Sequence, residues 1–582
     1  MTSPLSASPP QRPPPDRSPL LTGLPVLFLA IAAPLYLAAV LGLVLDASVA
    51  LCAAIAVAVS AAALCGALRE AKLGPLNLLT LAVGLVLVAW VRPSVVDSIS
   101  WDVSYYGLMK YPEMKRGIVG PFFSYGNVYE FLVSYVDHFL PPVGGLSLLH
   151  SLSLVFLAVF SCNYAWATRS RAALAVCLLL LFCDPTNTLT SAFSYILAGK
   201  NDVLVAALIL QTWAVFLDRR HSRLQPIRAF DFVVTNAVAA CAAGIKTSAL
   251  IAIGLPLLVY WGEFLMRAGR SLSRVRLTIV LSIVTLVWLF FCWQYVLNVL
   301  VLGSIIDKEL ARVGMSYSVL GLLGFSPIEL ARSSPPVFAV VSGLTLLVLV
   351  GAIQKAGREV LVIRLSALLL VLLCPWVFNG TPKSPQFRLV LPAVFLIGID
   401  AVAVAAGLFW RLAGPFARST VPVPRLRVRL ALPAIAWAVP AVLAVLALAP
   451  RTLPDYTAYF PREYREAYSY FADMPGQTIY SWGLANYFLV GRGNQHRLIS
   501  DPGIPSGLVY DPGGLVQSVV DCDSPNFLVF SDYYIGNGYF RKLLVHGLEV
   551  AYENEHLIIL RNPAGGGGSR GASCPRRYLI SG

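Results

Sequence analysis

The chain has 582 residues, 57% of them hydrophobic and 13% charged, with a net charge of +14. A soluble chain carries about a quarter charged residues, so a soluble globular protein of this length is excluded. The basic excess does not point to nucleic acid either. It sits in short clusters such as Arg219, Arg220, Arg223 and Arg228, the pattern of loops under the positive-inside rule rather than a basic groove or stripe.

Residues 1–20 are rich in Pro and Ser and read as a disordered cytoplasmic tail. The apolar residues that follow fall in runs of roughly 17 to 25, enough to cross a bilayer as helices. The first, Leu21 to Leu45, is too long for a signal-peptide core and lacks a clear cleavage site, so it reads as a retained span. Further spans are expected near 49–68, 75–91, 143–166, 171–184, 201–217, 231–245, 247–265, 277–301, 335–353, 360–378, 389–410 and 430–449. The fold class is therefore a polytopic α-helical membrane protein of about 13 transmembrane helices.

Charge supplies the sidedness. With the N-terminus inside, the inner loops hold Arg69 and Lys72, Arg169 and Arg171, Arg219 to Arg228, Arg267 to Arg276, Lys355 and Arg358, and Arg411 to Arg429. Residues 231–265 must be two helices turning near Gly244–Thr247 for this to hold. The turn then exposes Lys246 on the outer side. The outer face also carries a long loop at 92–142, a short one with Asp184 and Lys200–Asp202, another at 302–334, and the tail from about 450.

That tail has short alternating segments, Gln477–Tyr480, Asn526–Phe530 and His556–Arg561, and a helix-like stretch at 462–472. It reads as a small extracytoplasmic α/β domain over 451–562, with a flexible tail at 563–582 containing GGGGSRGAS. The transmembrane domain spans 21–450. Eight cysteines lie in apolar runs without metal-type spacing and read as packing residues. Cys522 and Cys574 lie in the tail, as a disulfide or as two free thiols.

Loop 92–142 is too long for a connector, and its recurrent aromatics fit helices lying in the interface. Asp97 and Asp102 stand where it leaves the membrane, as solvated charges or as catalytic carboxylates. Lys200 and Asp202 open a span, where capping and anchoring are the plain alternative. Lys246 in GIKTSA and Lys383 with Arg388 in NGTPKSPQFRLVLP complete the outer set. Span interiors show no chain of ionisable residues, and no inverted repeat is visible. Cations facing outward suit a phosphate leaving group. A carboxylate suits deprotonation of an acceptor hydroxyl.

The order of these features resembles the GT-C superfamily of membrane glycosyltransferases, in the branch of protein O-mannosyltransferases and the lipid A aminoarabinose transferase. WDVSYYGLMK resembles that family's first-loop motif, an acidic residue followed closely by Tyr-His; here Asp102 is followed by Tyr105 and Tyr106. GKNDVLVAALIL resembles the segment in which an Asp opens a span, and CAAGIKTSALI its Gly-x-Lys-Thr turn, Gly244 to Thr247. WQYVLNVLVLGS places Asn298 and Gly303 in a further pattern, and FRLVLPA resembles Arg-Tyr-x-x-Pro with Leu389 in place of Tyr. The resemblance covers roughly 20–450 and continues into the tail.

It implies transfer of a sugar from a lipid-linked donor, a polyprenyl phosphate sugar, to an acceptor of undetermined class on the outer side of a bacterial inner membrane. Asp102 would be the general base, with Asp97 its rival. Lys200, Lys246 and Arg388 would neutralise the released phosphate, and Asp202 would orient a cation or a lysine. Tyr105, Tyr106 and Lys383 join the substrate-binding set. No cofactor is required by the pattern; a divalent cation is compatible with it. A transporter or lipid flippase, and a non-catalytic factor in envelope polysaccharide assembly, are the alternatives.

Overall fold

The structure is a computed structural model. It describes residues 20–45, 47–70, 79–86, 125–136, 144–168, 170–182, 201–220, 226–306, 308–316, 334–354, 356–374 and 387–417. Of the tail it describes 470–471, 473–474, 476–482, 496–500, 512–531, 547–553, 557–565 and 578–579; a few single residues lie between these stretches.

Helices stand at most of the expected spans, and two short ones, 128–136 and 308–316, fall in segments read as outer loops. They are α1 (Leu20–Ala39, continuing as a π-helical turn Val40–Val44), α2 (Val49–Glu70), α3 (Val128–Val136), α4 (Gly144–Ala167), α5 (Arg171–Phe182) and α6 (Asp202–Asp218). Then come α7 (Ala229–Ile245), α8 (Ser248–Ser271), α9 (Arg274–Leu302), α10 (Lys308–Ser316), α11 (Pro335–Ile353), α12 (Arg358–Leu373) and α13 (Leu391–Ala417), the last preceded by a 3-10 turn at Phe387–Val390. Residues 79–86 are also helical. The expected span at 430–449 lies outside the described residues.

Helix α9 decides the solvent. It has 29 residues, about 43 Å at 1.5 Å each, and only six of them are buried within the protein. Its surface exposes Val275, Ile279, Ile283, Leu286, Leu289, Val296 and Leu300. So much apolar surface on one helix needs a hydrocarbon solvent. Four of the described helices are long and apolar enough to cross a membrane. The chain is a helical integral membrane protein.

Helix α6 is the counterpart at the centre. All its residues except Val215 and Asp218 are buried, as expected of a helix apolar all round. It packs against α4, α7, α8 and α13. Its ends define two ends of the bundle. Asp202 faces the break between α7 and α8, whereas Arg219, just past the other end, pairs with Glu263 near the C-terminus of α8. The predicted break is present: α7 stops at Ile245, Lys246 is extended (φ −150, ψ 127), and α8 starts at Ser248.

Gly244 explains why the chain turns there. Its Cα lies against the backbone carbonyl of Phe291, leaving no room for a Cβ. Helix α9 yields at the same level, where Cys292 leaves helical geometry (φ −115, ψ 15). Gly126 presses on the other side, and a Cβ there would sit 2.5 Å from the Ile245 carbonyl. The Asn127 amide then donates to the Gly244 carbonyl at 3.0 Å. Three backbones meet where no side chain fits.

The tail carries a six-stranded sheet. Its strands are β1 (Thr478–Trp482), β2 (Arg497–Ser500), β3 (Phe527–Ser531), β4 (Glu549–Glu553), β5 (Leu557–Arg561) and β6 (Tyr578–Leu579). The order is β4-β5-β3-β1-β2-β6. Strands β2, β1 and β3 are parallel, and α14 (Pro512–Asp523) provides the crossover from β2 to β3. Strand alternation covers both faces. Tyr480, Leu528, Phe530, Ile558 and Leu560 pack with Val519 of α14. On the other face, Phe471 stacks edge-on against Phe527. Burial next to Phe471 pulls His496 below the usual histidine pKa. Strand β6 pairs with β2 through Ile499 and Ser500, so Tyr578 and Leu579, expected in the flexible tail, belong to the sheet. Cys522 is disulfide-bonded, which removes the free-thiol alternative for it.

Candidate functional site

Asp202 is the first residue of α6, where the helix dipole favours a carboxylate. Its side chain is only 4% exposed, and a buried carboxylate needs a partner. Lys246, from the α7–α8 break, supplies it: the ammonium donates to Asp202 Oδ1. The break is what lets a lysine reach that point, because an uninterrupted helix would carry residue 246 away along its axis. Lys246 remains 21% exposed. Among the described residues Asp202 is its recorded partner, and an ammonium has three donors, which leaves two for an anion.

The surroundings are built from four other segments. Thr247 Oγ1 lies 3.1 Å from the Tyr295 hydroxyl, which donates to the Ala243 carbonyl at 2.5 Å. Cys374, just past α12, lies beside Ser248 at the start of α8. Its Sγ is 3.8 Å from the Leu389 carbonyl. That contact brings the turn Phe387–Val390, and with it the backbone of Arg388, to the same end of the bundle. Asn201 donates to Glu130 Oε1 at 2.9 Å, tying the start of α6 to α3, the distal part of loop 92–142.

A buried relay of polar side chains backs this end. Trp293 donates to the Tyr36 hydroxyl at 2.8 Å, which donates to Asn127 Oδ1 at 2.6 Å. Asn127 donates to Gln294 at 3.2 Å, Gln294 to Asn298 at 2.8 Å, and Asn298 to the Ile305 carbonyl at 2.7 Å. The relay joins α1, the end of loop 92–142, α9 and the start of the 302–334 loop. Gly303 ends α9 in the left-handed conformation (φ 67), which glycine adopts without strain.

Of the nine residues singled out in the sequence, the structure brings together Asp202, Lys246 and the backbone of Arg388. Asp97, Asp102, Tyr105, Tyr106, Lys200 and Lys383 lie outside the described residues. Lys246 was expected to stand exposed at a hairpin tip; instead it is mostly buried against Asp202. Sequence reasoning missed Glu130, Asn127, Tyr36 and Gln294. Glu130 was the most legible of them, as a lone carboxylate in the apolar stretch VYEFLVSYV. No three described His, Cys, Asp or Glu side chains gather in a metal-holding group.

Two buried ion pairs were not singled out in the sequence. Arg364 donates from Nε to Asp400 Oδ2 and from Nη1 to the Leu347 carbonyl, both at 2.8 Å, and Tyr164 donates to Asp400 Oδ1 at 3.1 Å. Arg219, expected in a solvated loop, is buried against Glu263. Both arise because a carboxylate on a neighbouring helix, distant in sequence, makes burial of the arginine tolerable.

No protein-family model and no curated protein matches the chain. Among solved structures the chain is similar to ArnT from Cupriavidus metallidurans. The crystal structure of that protein bound to undecaprenyl phosphate has 15% identity and a TM-score of 0.49, covering 85% of this chain and 100% of the other. Its apo crystal structure has 14% identity and a TM-score of 0.46, covering 84% and 98%.

Proposed function

We propose that this chain is a membrane glycosyltransferase that moves a sugar from a polyprenyl-phosphate donor to an acceptor on the outer face of the membrane. The observation that carries the reading is the Lys246–Asp202 pair, an ammonium whose recorded partner among the described residues is one carboxylate, held at the end of the bundle where Glu130 meets Asn201. In the reaction an acceptor oxygen attacks the anomeric carbon. The bond from that carbon to the phosphate oxygen breaks, and its electron pair leaves with the lipid phosphate. Asp102 takes the proton of the acceptor hydroxyl. Lys246, with Lys200 and Arg388, neutralises the phosphate as it gains charge. Asp202 holds Lys246 in place.

The flippase reading gains something from the buried Arg364–Asp400 pair. That pair is nevertheless held by further fixed partners, Tyr164 on Asp400 and the Leu347 carbonyl on Arg364, which suits a structural pin more than a relay.

The test is transfer by the purified protein, given a radiolabelled polyprenyl-phosphate sugar and membrane acceptors. Asp102→Asn should lower transfer by about 100-fold or more, and Lys246→Ala should lower it by about 10-fold or more. Asp137→Asn should leave it unchanged. Normal transfer in both Asp102→Asn and Asp97→Asn would remove the base assignment.

The reading places the N-terminus in the cytoplasm and the sheet domain of 451–562 outside, where the disulfide at Cys522 is stable. An alkaline phosphatase fused after residue 455 should therefore be active in cells. An inactive fusion, with a cytoplasmic reporter active at the same point, would overturn the sidedness.

A further inference from the structure

The chain on both sides of Lys246 is held by one phenol from another helix. An α-helix ends with four backbone carbonyls that lack intrahelical partners, and α7 ends among buried residues. The Lys246 amide closes on the Ala242 carbonyl and the Asn127 amide on the Gly244 carbonyl, both at 3.0 Å. Between them, the Ala243 carbonyl accepts from the Tyr295 hydroxyl of α9 at 2.5 Å.

That hydroxyl has one hydrogen, and Ala243 takes it. Thr247 is therefore the donor in the 3.1 Å contact between its Oγ1 and the Tyr295 oxygen. A single oxygen thus joins the residue three before Lys246 to the residue one after it. Lys246 is extended (φ −150, ψ 127), so the ladder of α7 does not carry through into α8. The direction of the lysine then depends on what fixes its two flanks.

Helix α9 is a firm anchor for this purpose. The Phe291 carbonyl presses on Gly244, and Cys292 Sγ donates to the Ala240 carbonyl at 3.4 Å. These contacts set α9 against α7 one turn before Tyr295. The tyrosine is buried, with 8% exposure. Phenylalanine would fill the same space but would take this partner from the Ala243 carbonyl and the Thr247 hydroxyl.

We propose that Tyr295 is a positioning residue for Lys246: by clamping both flanks of the break it holds the ammonium against Asp202 and toward the phosphate of the donor. The identity of that phosphate rests on the transferase reading; the clamp does not.

The rate at which a water-soluble N-hydroxysuccinimide acetate acylates Lys246 tests the clamp, read by peptide mass spectrometry on the full chain in detergent. The lysine is 21% exposed, so its amine reacts freely when the break opens. Tyr295→Phe should speed labelling about fivefold, the effect of one hydrogen bond on an opening equilibrium. Thr247→Val should speed it as well, whereas Thr247→Ser, which keeps the hydroxyl, should label at the original rate. The threonine variants decide the matter if Tyr295→Phe does not fold. Tyr164→Phe removes a different buried phenol, the one on Asp400, and should leave Lys246 labelling unchanged. In the transfer assay Tyr295→Phe should lower kcat about fivefold, because Lys246 acts on charge formed as the bond breaks, and Tyr164→Phe should not. Equal labelling of Tyr295→Phe and the unsubstituted chain, or an equal rise in Tyr164→Phe, would overturn the clamp. Faster labelling with an unchanged kcat would overturn the positioning role. Absence of transfer by the unsubstituted chain would remove the transferase reading, and the labelling rates would still decide the clamp.

Discussion

Gly244→Ala should disrupt the protein more than any other single methyl group added to a described helix. The new Cβ would collide with the Phe291 carbonyl and crowd Val128, and neither backbone nor a packed valine can swing aside like the end of a long side chain. Overpacking of this kind is worth about 1–3 kcal/mol and occasionally more. Gly126→Ala should behave similarly, because its Cβ would strike the Gly244 and Ile245 carbonyls. In detergent, both variants should show a lowered thermal midpoint and lose the monodisperse peak in size-exclusion chromatography. Gly254→Ala and Gly262→Ala are the controls. A Cβ at either meets nothing within 4 Å, so alanine should be neutral or stabilising by up to about 1 kcal/mol. Equal stability of Gly244→Ala and Gly254→Ala would refute the three-backbone contact. Because that contact also sets the position of Lys246, two residues on, the damaged variants should lose function together with stability.

Breaking the buried Arg364–Asp400 pair should be comparably severe. Both side chains are 6% exposed and lie between α12 and α13. Arg364→Leu leaves Asp400 with only the Tyr164 hydroxyl, and an unpaired buried charge costs about 3–5 kcal/mol. The double variant Arg364→Leu/Asp400→Leu should recover most of that loss, because a buried pair contributes little against apolar residues of similar size. The measurement is the thermal midpoint of each single variant and of the double variant in the same detergent. Additive losses would mean that each residue acts through a different partner.

Much of the bundle was legible before any coordinates. Apolar runs are long because lipid offers no partner to a backbone amide, and that requirement acts locally along the chain. Even the α7–α8 break at Lys246 was readable, since an unbroken helix would have put Arg267, Arg270, Arg274 and Arg276 with the wrong loops. The candidate site was legible only as a set of residue types. Asp202 and Lys246 were both singled out, but their pairing depends on two helices meeting across 44 positions of sequence. Tyr36, Asn127 and Gln294 gave no local sign of belonging to one relay, because each looks like an ordinary residue of its own segment.

By itself, then, the sequence determined the solvent of this protein, the placement of its helices and the grouping of its basic loops, all consequences of local hydropathy and charge. The tertiary structure decided which charges are paired. It buried Arg219 and Arg364, which composition would have left in water or lipid, and it drew Lys246 inward from an expected exposed tip. Such outcomes depend on carboxylates carried in by neighbouring helices, and the price of burying a charge is set by the partner that folding delivers rather than by the residue's own neighbours in the chain.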